Sequence, residues 1–160
     1  MFSSLSPSLL LLSLPFLLHL SHSSSAPKRL PERFLGNFEL AEPYYDSRTS
    51  FDVFLSELGV GWLMRQIAWS LYPHLIINQN KEGLVTARIE ASIFVFDVEF
   101  LLDSDDAEFD VNEGKLIFNY KGEKMIRSVA EVTQDGKRLT LAMTIKAARH
   151  TLTAYSKRIN

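Results

Sequence analysis

The stretch Pro73–Phe100, PHLIINQNKEGLVTARIEASIFVFDVEF, decides the fold, because here the apolar spacing changes from steps of three and four to a step of two. Leu84, Thr86, Arg88 and Glu90 alternate with Val85, Ala87, Ile89 and Ala91, and Asn80-Lys81-Glu82-Gly83 supplies the turn before them. Extended chain places successive side chains on opposite faces, so this alternation predicts a strand that follows a hairpin turn. Phe94, Phe96, Val98 and Phe100 share one face of the next strand and read as core first and ligand-lining second.

Downstream the breakers keep coming: Asp103-Ser104-Asp105-Asp106, Glu113-Gly114, Lys121-Gly122 and Gln134-Asp135-Gly136. Between them the chain predicts antiparallel strands over about 34–41, 74–79, 84–91, 93–102, 115–120, 123–132, 138–146 and 149–157, with 107–111 a marginal ninth. A sheet of this size must bury one face and dispose of its edges, as a sandwich or as a closed barrel. The strand at 123–132 sets Met125, Arg127, Val129 and Glu131 against Ile126, Ser128, Ala130 and Val132, and the last sets Thr151, Thr153 and Tyr155 against Leu152 and Ala154. Such mixed faces fit a solvated outer surface. They also fit a barrel with a partly polar interior that accepts one amphiphilic ligand.

Upstream, Phe51, Phe54, Leu55 and Leu58, then Trp62, Leu63, Ile67 and Leu71, recur at helical spacing around Gly59 and Gly61. Two short helices joined by a glycine turn follow, with Ser50 as the cap of the first and Pro73 beyond the end of the second. Helices this short have no core of their own, so they must pack on the sheet or cover an opening in it. Trp62, Met64, Trp69 and Leu71 then form the apolar underside of a lid, Leu63 and Ile67 pack as core, and Arg65 faces outward.

At the N-terminus, Leu9–Leu20 reads LLLLSLPFLLHL and is followed by small polar residues through Ala26. This is the pattern of a secretory signal peptide, too short to span a bilayer. The expectation is a cleaved leader over 1–26, with cleavage near Ser23–Ala26, an exported product, and one folded domain over 27–160.

Composition narrows the function. The 160 residues carry 17 basic and 19 acidic side chains, for a net charge of −2, and no cysteine. A basic nucleic-acid footprint is absent, and disulfides, thiol catalysis and cysteine zinc sites are excluded. No phosphate loop, nucleophile elbow or metal-ligand spacing is present, so neither an enzyme nor a metal or cofactor is expected. Asp103, Asp105, Asp106 and Glu108 lack the glycine and terminal glutamate of a calcium loop and read as a solvated turn.

Three ordered blocks, LPERFLGNFEL over 30–40, SFDVFL over 50–55 and GVGWLMRQI over 59–67, together resemble the fatty-acid-binding protein family, in particular its secreted nematode-type branch. Asp135-Gly136 and the closing hairpin that ends at Tyr155 fit the same pattern. The resemblance implies an all-β, lipocalin-like barrel: an up-and-down antiparallel meander of eight to ten strands, capped by a helix-turn-helix, that carries a fatty acid or other small lipid as a monomer without catalysis. It also implies loading past the helical cap, with Phe54, Trp62, Met64 and Trp69 at the portal and transient membrane contact through it. The family's Arg-x-Tyr carboxylate pair maps here onto Thr153 and Tyr155, so the arginine is missing. Arg127, Arg149 and Arg88 are the candidate replacements, because a buried unpaired carboxylate costs several kcal/mol. Two departures from the pattern stand out. Pro43–Thr49 reads as an insertion before the first helix, and the span from Phe109 to Leu139 is short, which suggests that 103–114 is mainly a loop, that eight strands remain and that the barrel is narrower or gapped. The competing reading is a secreted interaction module that keeps the fold but has lost a usable cavity.

Overall fold

The computed structural model describes residues 26–122 and 124–159. The expected leader falls, but for Ala26, outside the described residues. A 3-10 turn over Glu32–Phe34 leads into β1, Gly36–Tyr45. Two helices follow, α1 over Arg48–Glu57 and α2 over Trp62–Trp69. Eight further strands follow among the described residues: β2 His74–Gln79, β3 Leu84–Ala91, β4 Phe94–Leu101, β5 Ala107–Asp110, β6 Lys115–Lys121, β7 Met125–Val132, β8 Arg138–Ile145 and β9 His150–Ile159.

Ser47, not Ser50, caps α1: its side chain accepts a hydrogen bond from the Ser50 N–H at 2.9 Å, satisfying one of the free donors of the first turn. Pro43–Tyr45, expected as inserted loop, instead prolongs β1, and the pairing with β9 changes register between Leu40 and Tyr45. After α1, Gly59 takes φ +82, a left-handed position suited to glycine, and the chain turns into α2. Arg65 of α2 locks the turn, donating to Asp52 Oδ1 and to the Val60 carbonyl, both at 2.7 Å.

The nine strands form one sheet in the order β4-β3-β2-β1-β9-β8-β7-β6-β5, antiparallel throughout. The terminal strands pair through Asn37↔Ile159 and Phe38↔Arg158. Tracing directions outward from that pair makes β4 and β5 run the same way, with no pairing between them. An antiparallel ring closes completely only with an even number of strands, and this barrel has an odd one. Within the loop expected over 103–114, residues 103–106 and 111–114 are turns and the marginal ninth strand forms as β5, held by Ala107↔Phe118 and Asp110↔Lys115. The deficit in chain length therefore appears as a seam between β4 and β5.

Two apolar clusters fill the ends. Away from the helices, Phe34, Phe38, Ile77, Val85, Leu116 and Leu139 are buried together. Beneath α1 lie Tyr45, Phe51, Phe54, Ile145 and Leu152, with Trp69 of α2 against them. Arg158 completes the first end. Its guanidinium donates to the carbonyls of Arg33, Leu35 and Gly136, each at 2.7 Å, and lies 4.8 Å from the centre of the Phe38 ring.

Candidate ligand-binding site

Between the two clusters a narrow slot of about 40 Å³ remains. Leu75, Ala87, Ile89, Phe96 and Val98 form one wall. Phe118, Tyr120, Ile126, Ser128, Leu141 and Met143 form the other. Each is an alternate residue of its strand, so the period of two noted in the sequence is what aims all of them inward. Ser128 and Tyr120 bring the hydroxyls; the remaining lining residues are apolar. The slot lies beside the seam, where side chains do what backbone hydrogen bonds do elsewhere. Phe96 meets Tyr120 edge to face at 4.7 Å, and Phe100 stacks on Phe118 at 5.0 Å.

At the helical end, the Phe54 ring is buried and Trp69 sits edge-on to Phe51 at 5.2 Å, with the Arg48 guanidinium 5.4 Å from the Trp69 ring. Burial pushes the Tyr45 hydroxyl up to about 12. Trp62 and Met64, expected on the underside of the lid, point away from the barrel, and Trp62 and Leu63 are 66% and 63% exposed. Ile67 is exposed with them, whereas Arg65 turns inward to Asp52. Helix α2 thus rests on the cap cluster through Ala68 and Trp69 and shows Trp62, Leu63, Met64 and Ile67 to solvent.

The five residues considered for the polar head group lie elsewhere. Thr153 and Tyr155 occupy the face of β9 opposite Leu152 and Ala154, paired with Ala142 and Thr140. Arg88 projects from the outer face of β3 toward Glu90 and Asp97, at 3.3 and 3.4 Å. Arg127 lies on the outer face of β7 in an open groove with Asp105, Glu108 and Lys146. Arg149 occupies the turn between β8 and β9 at φ 54. The structure does not bring these five together, and none lines the slot. Ser128, which does, was legible in one respect: it shares its strand face with Ile126, Ala130 and Val132, the face of β7 that carries no charge.

No protein-family model matches the chain. Among solved structures it resembles a Schistosoma mansoni fatty-acid-binding protein in complex with arachidonic acid, with a TM-score of 0.64 and 21% identity over 82% of this chain and 100% of that one. It also resembles Caenorhabditis elegans lipid binding protein 8, with a TM-score of 0.63 and 15% identity over 80% of this chain and 96% of that one. A fatty-acid-binding protein from Drosophila melanogaster brain tissue aligns at 0.61 and 22% identity, over 78% of this chain and 98% of that one. The fold is that of the fatty-acid-binding proteins. Within that fatty-acid-binding fold, this chain is a nearly closed nine-stranded barrel with two helices.

Proposed function

We propose that the protein is a secreted, non-enzymatic, monomeric carrier that holds one small lipid inside its barrel. The observation that carries this reading is the slot: an interior wall of apolar side chains, set beside the one boundary of the sheet that backbone hydrogen bonds do not close. Each methylene moved from water into such a wall contributes about 0.8 kcal/mol, so a long chain overcomes the cost of association. Ligand pockets typically measure ~300–1,000 Å³. The slot must therefore widen on loading, and Met143, with its unbranched side chain, and the Phe96–Tyr120 contact are the parts able to yield. The apolar run Leu9–Leu20 supports export, and the three sequence blocks support a place in the secreted nematode-type branch. The exposed surface of Trp62, Leu63 and Met64 supports transient contact with membranes during transfer.

One observation favours a second reading, an interaction module without cargo: about 40 Å³ is room for only a few water molecules. Displacement of a fluorescent lipid from the delipidated protein separates the two. Saturable one-to-one displacement supports the carrier; no displacement by any lipid supports the module.

A further inference from the structure

We infer that the cargo is an uncharged lipid with a hydroxyl or carbonyl head, and not an ionised fatty acid. This rests on the carrier reading and specifies its ligand class. Among the described residues, the side chains lining the slot that carry a polar group are Ser128 and Tyr120, each with a hydroxyl. Ser128 is 5% exposed and lies between Phe118 and Met143 in register, midway along β7. Tyr120 stands at the seam, its hydroxyl beside Gly122, where an added Cβ would fall 2.8 Å from the oxygen. A hydroxyl can donate to or accept from an alcohol, aldehyde or ester, but it does not neutralise a carboxylate.

Basic side chains with the inward parity of β9 exist, and both are engaged outside the slot. Arg158 spends its donors on three backbone carbonyls at the far end. His150 faces the Ser50 carbonyl at 3.0 Å beneath α1. Lys124, at the edge of the cap, reaches the Glu57 carbonyl. Arg88 and Arg127 are on the outer face, as described. An acid entering the slot must therefore leave its charge in water or take up a proton, since an isolated carboxylate in an apolar wall is strongly disfavoured. An alcohol of the same chain length has no such requirement.

The test uses the full secreted chain, delipidated, with hexadecanol and hexadecanoate competing against one fluorescent lipid probe. At about pH 7 the alcohol should bind at least about tenfold more tightly than the acid, and the acid should gain affinity as the pH falls toward about 5, where its carboxyl begins to protonate. Ser128→Ala should weaken the alcohol several-fold and leave any binding of hexadecane unchanged. Equal or tighter binding of the acid, insensitive to pH, overturns this inference and leaves the carrier reading intact. Binding of neither compound overturns both.

Discussion

Phe96 and Tyr120 are 24 positions apart in the chain and belong to strands that share no hydrogen bond, yet their rings meet edge to face at 4.7 Å and close the barrel beside its interior slot. An aromatic pair of this geometry contributes about 0.5–1.5 kcal/mol beyond its buried area. A double-mutant cycle with Phe96→Leu and Tyr120→Leu should return a coupling of that size. Tyr120→Ala should in addition speed lipid uptake, because the seam would part with less resistance. Gly122→Ala should act in the same direction, since its methyl would fall 2.5 Å from the Tyr120 ring. Unchanged uptake kinetics in both variants would remove the seam from the loading route.

Arg158 and Gly36 make a second pair. A Cβ at residue 36 would lie within contact distance of the Arg158 guanidinium, and φ of +127 disfavours any side chain there. Gly36→Ala should therefore cost about 2 kcal/mol or more in denaturant unfolding, combining backbone strain with loss of the Arg158 clasp. Arg158→Met should cost about 3 kcal/mol, because three carbonyls lose charged donors. Arg158→Lys should recover only part of it, an ammonium being unable to reproduce the forked geometry. Affinity for lipid should change little in all three, since this end lies away from the slot.

The Tyr45 hydroxyl, raised by burial to about 12, ties stability to alkaline pH. The folded protein keeps this proton more tightly than the unfolded chain, whose tyrosine titrates near 10. Its contribution is complete below about pH 10 and is lost as the pH rises toward about 12, by roughly 2–3 kcal/mol. Unfolding midpoints measured across that interval should fall more steeply for the native chain than for Tyr45→Phe. Parallel curves would show that the cap opens before the hydroxyl ionises.

Trp62, Leu63 and Met64 offer a test of membrane contact that leaves the barrel alone. Being exposed, Trp62→Ser and Met64→Ser should change stability by no more than about 0.5 kcal/mol. Lipid delivery to phospholipid vesicles should nevertheless slow several-fold, and its rate should lose its dependence on vesicle concentration. If delivery rates are unaffected, transfer proceeds through free solution.

Much of the architecture was legible because alternation and turn residues are local. The span 84–91 and its neighbour 74–79 are strands over the ranges that their sequence indicates. What local patterns do not encode is which of two similar faces turns inward. On β9, Thr151, Thr153 and Tyr155 make as good a strand face as Leu152, Ala154 and Ser156, and the choice is made by partners on β8 and β1 that are distant in sequence. The Ser47 cap has no local signal because Pro43–Tyr45 continues a strand through a register shift, which sets the cap of α1 three residues upstream of Ser50. The Phe96–Tyr120 contact has no sequence signature, since it arises from a pairing that fails to form.

The uneven stave count also bears on encounters between molecules. A strand whose outer edge lacks a partner offers its backbone to any extended chain that drifts past, the route by which sheets stack into fibres. Along β4 that invitation is flanked by Asp97 and Glu99, both exposed and both negative. Arg88 offsets part of the Asp97 charge, but two copies meeting edge to edge would still set the Glu99 carboxylates against each other, a fender for a rim that the odd strand count leaves bare.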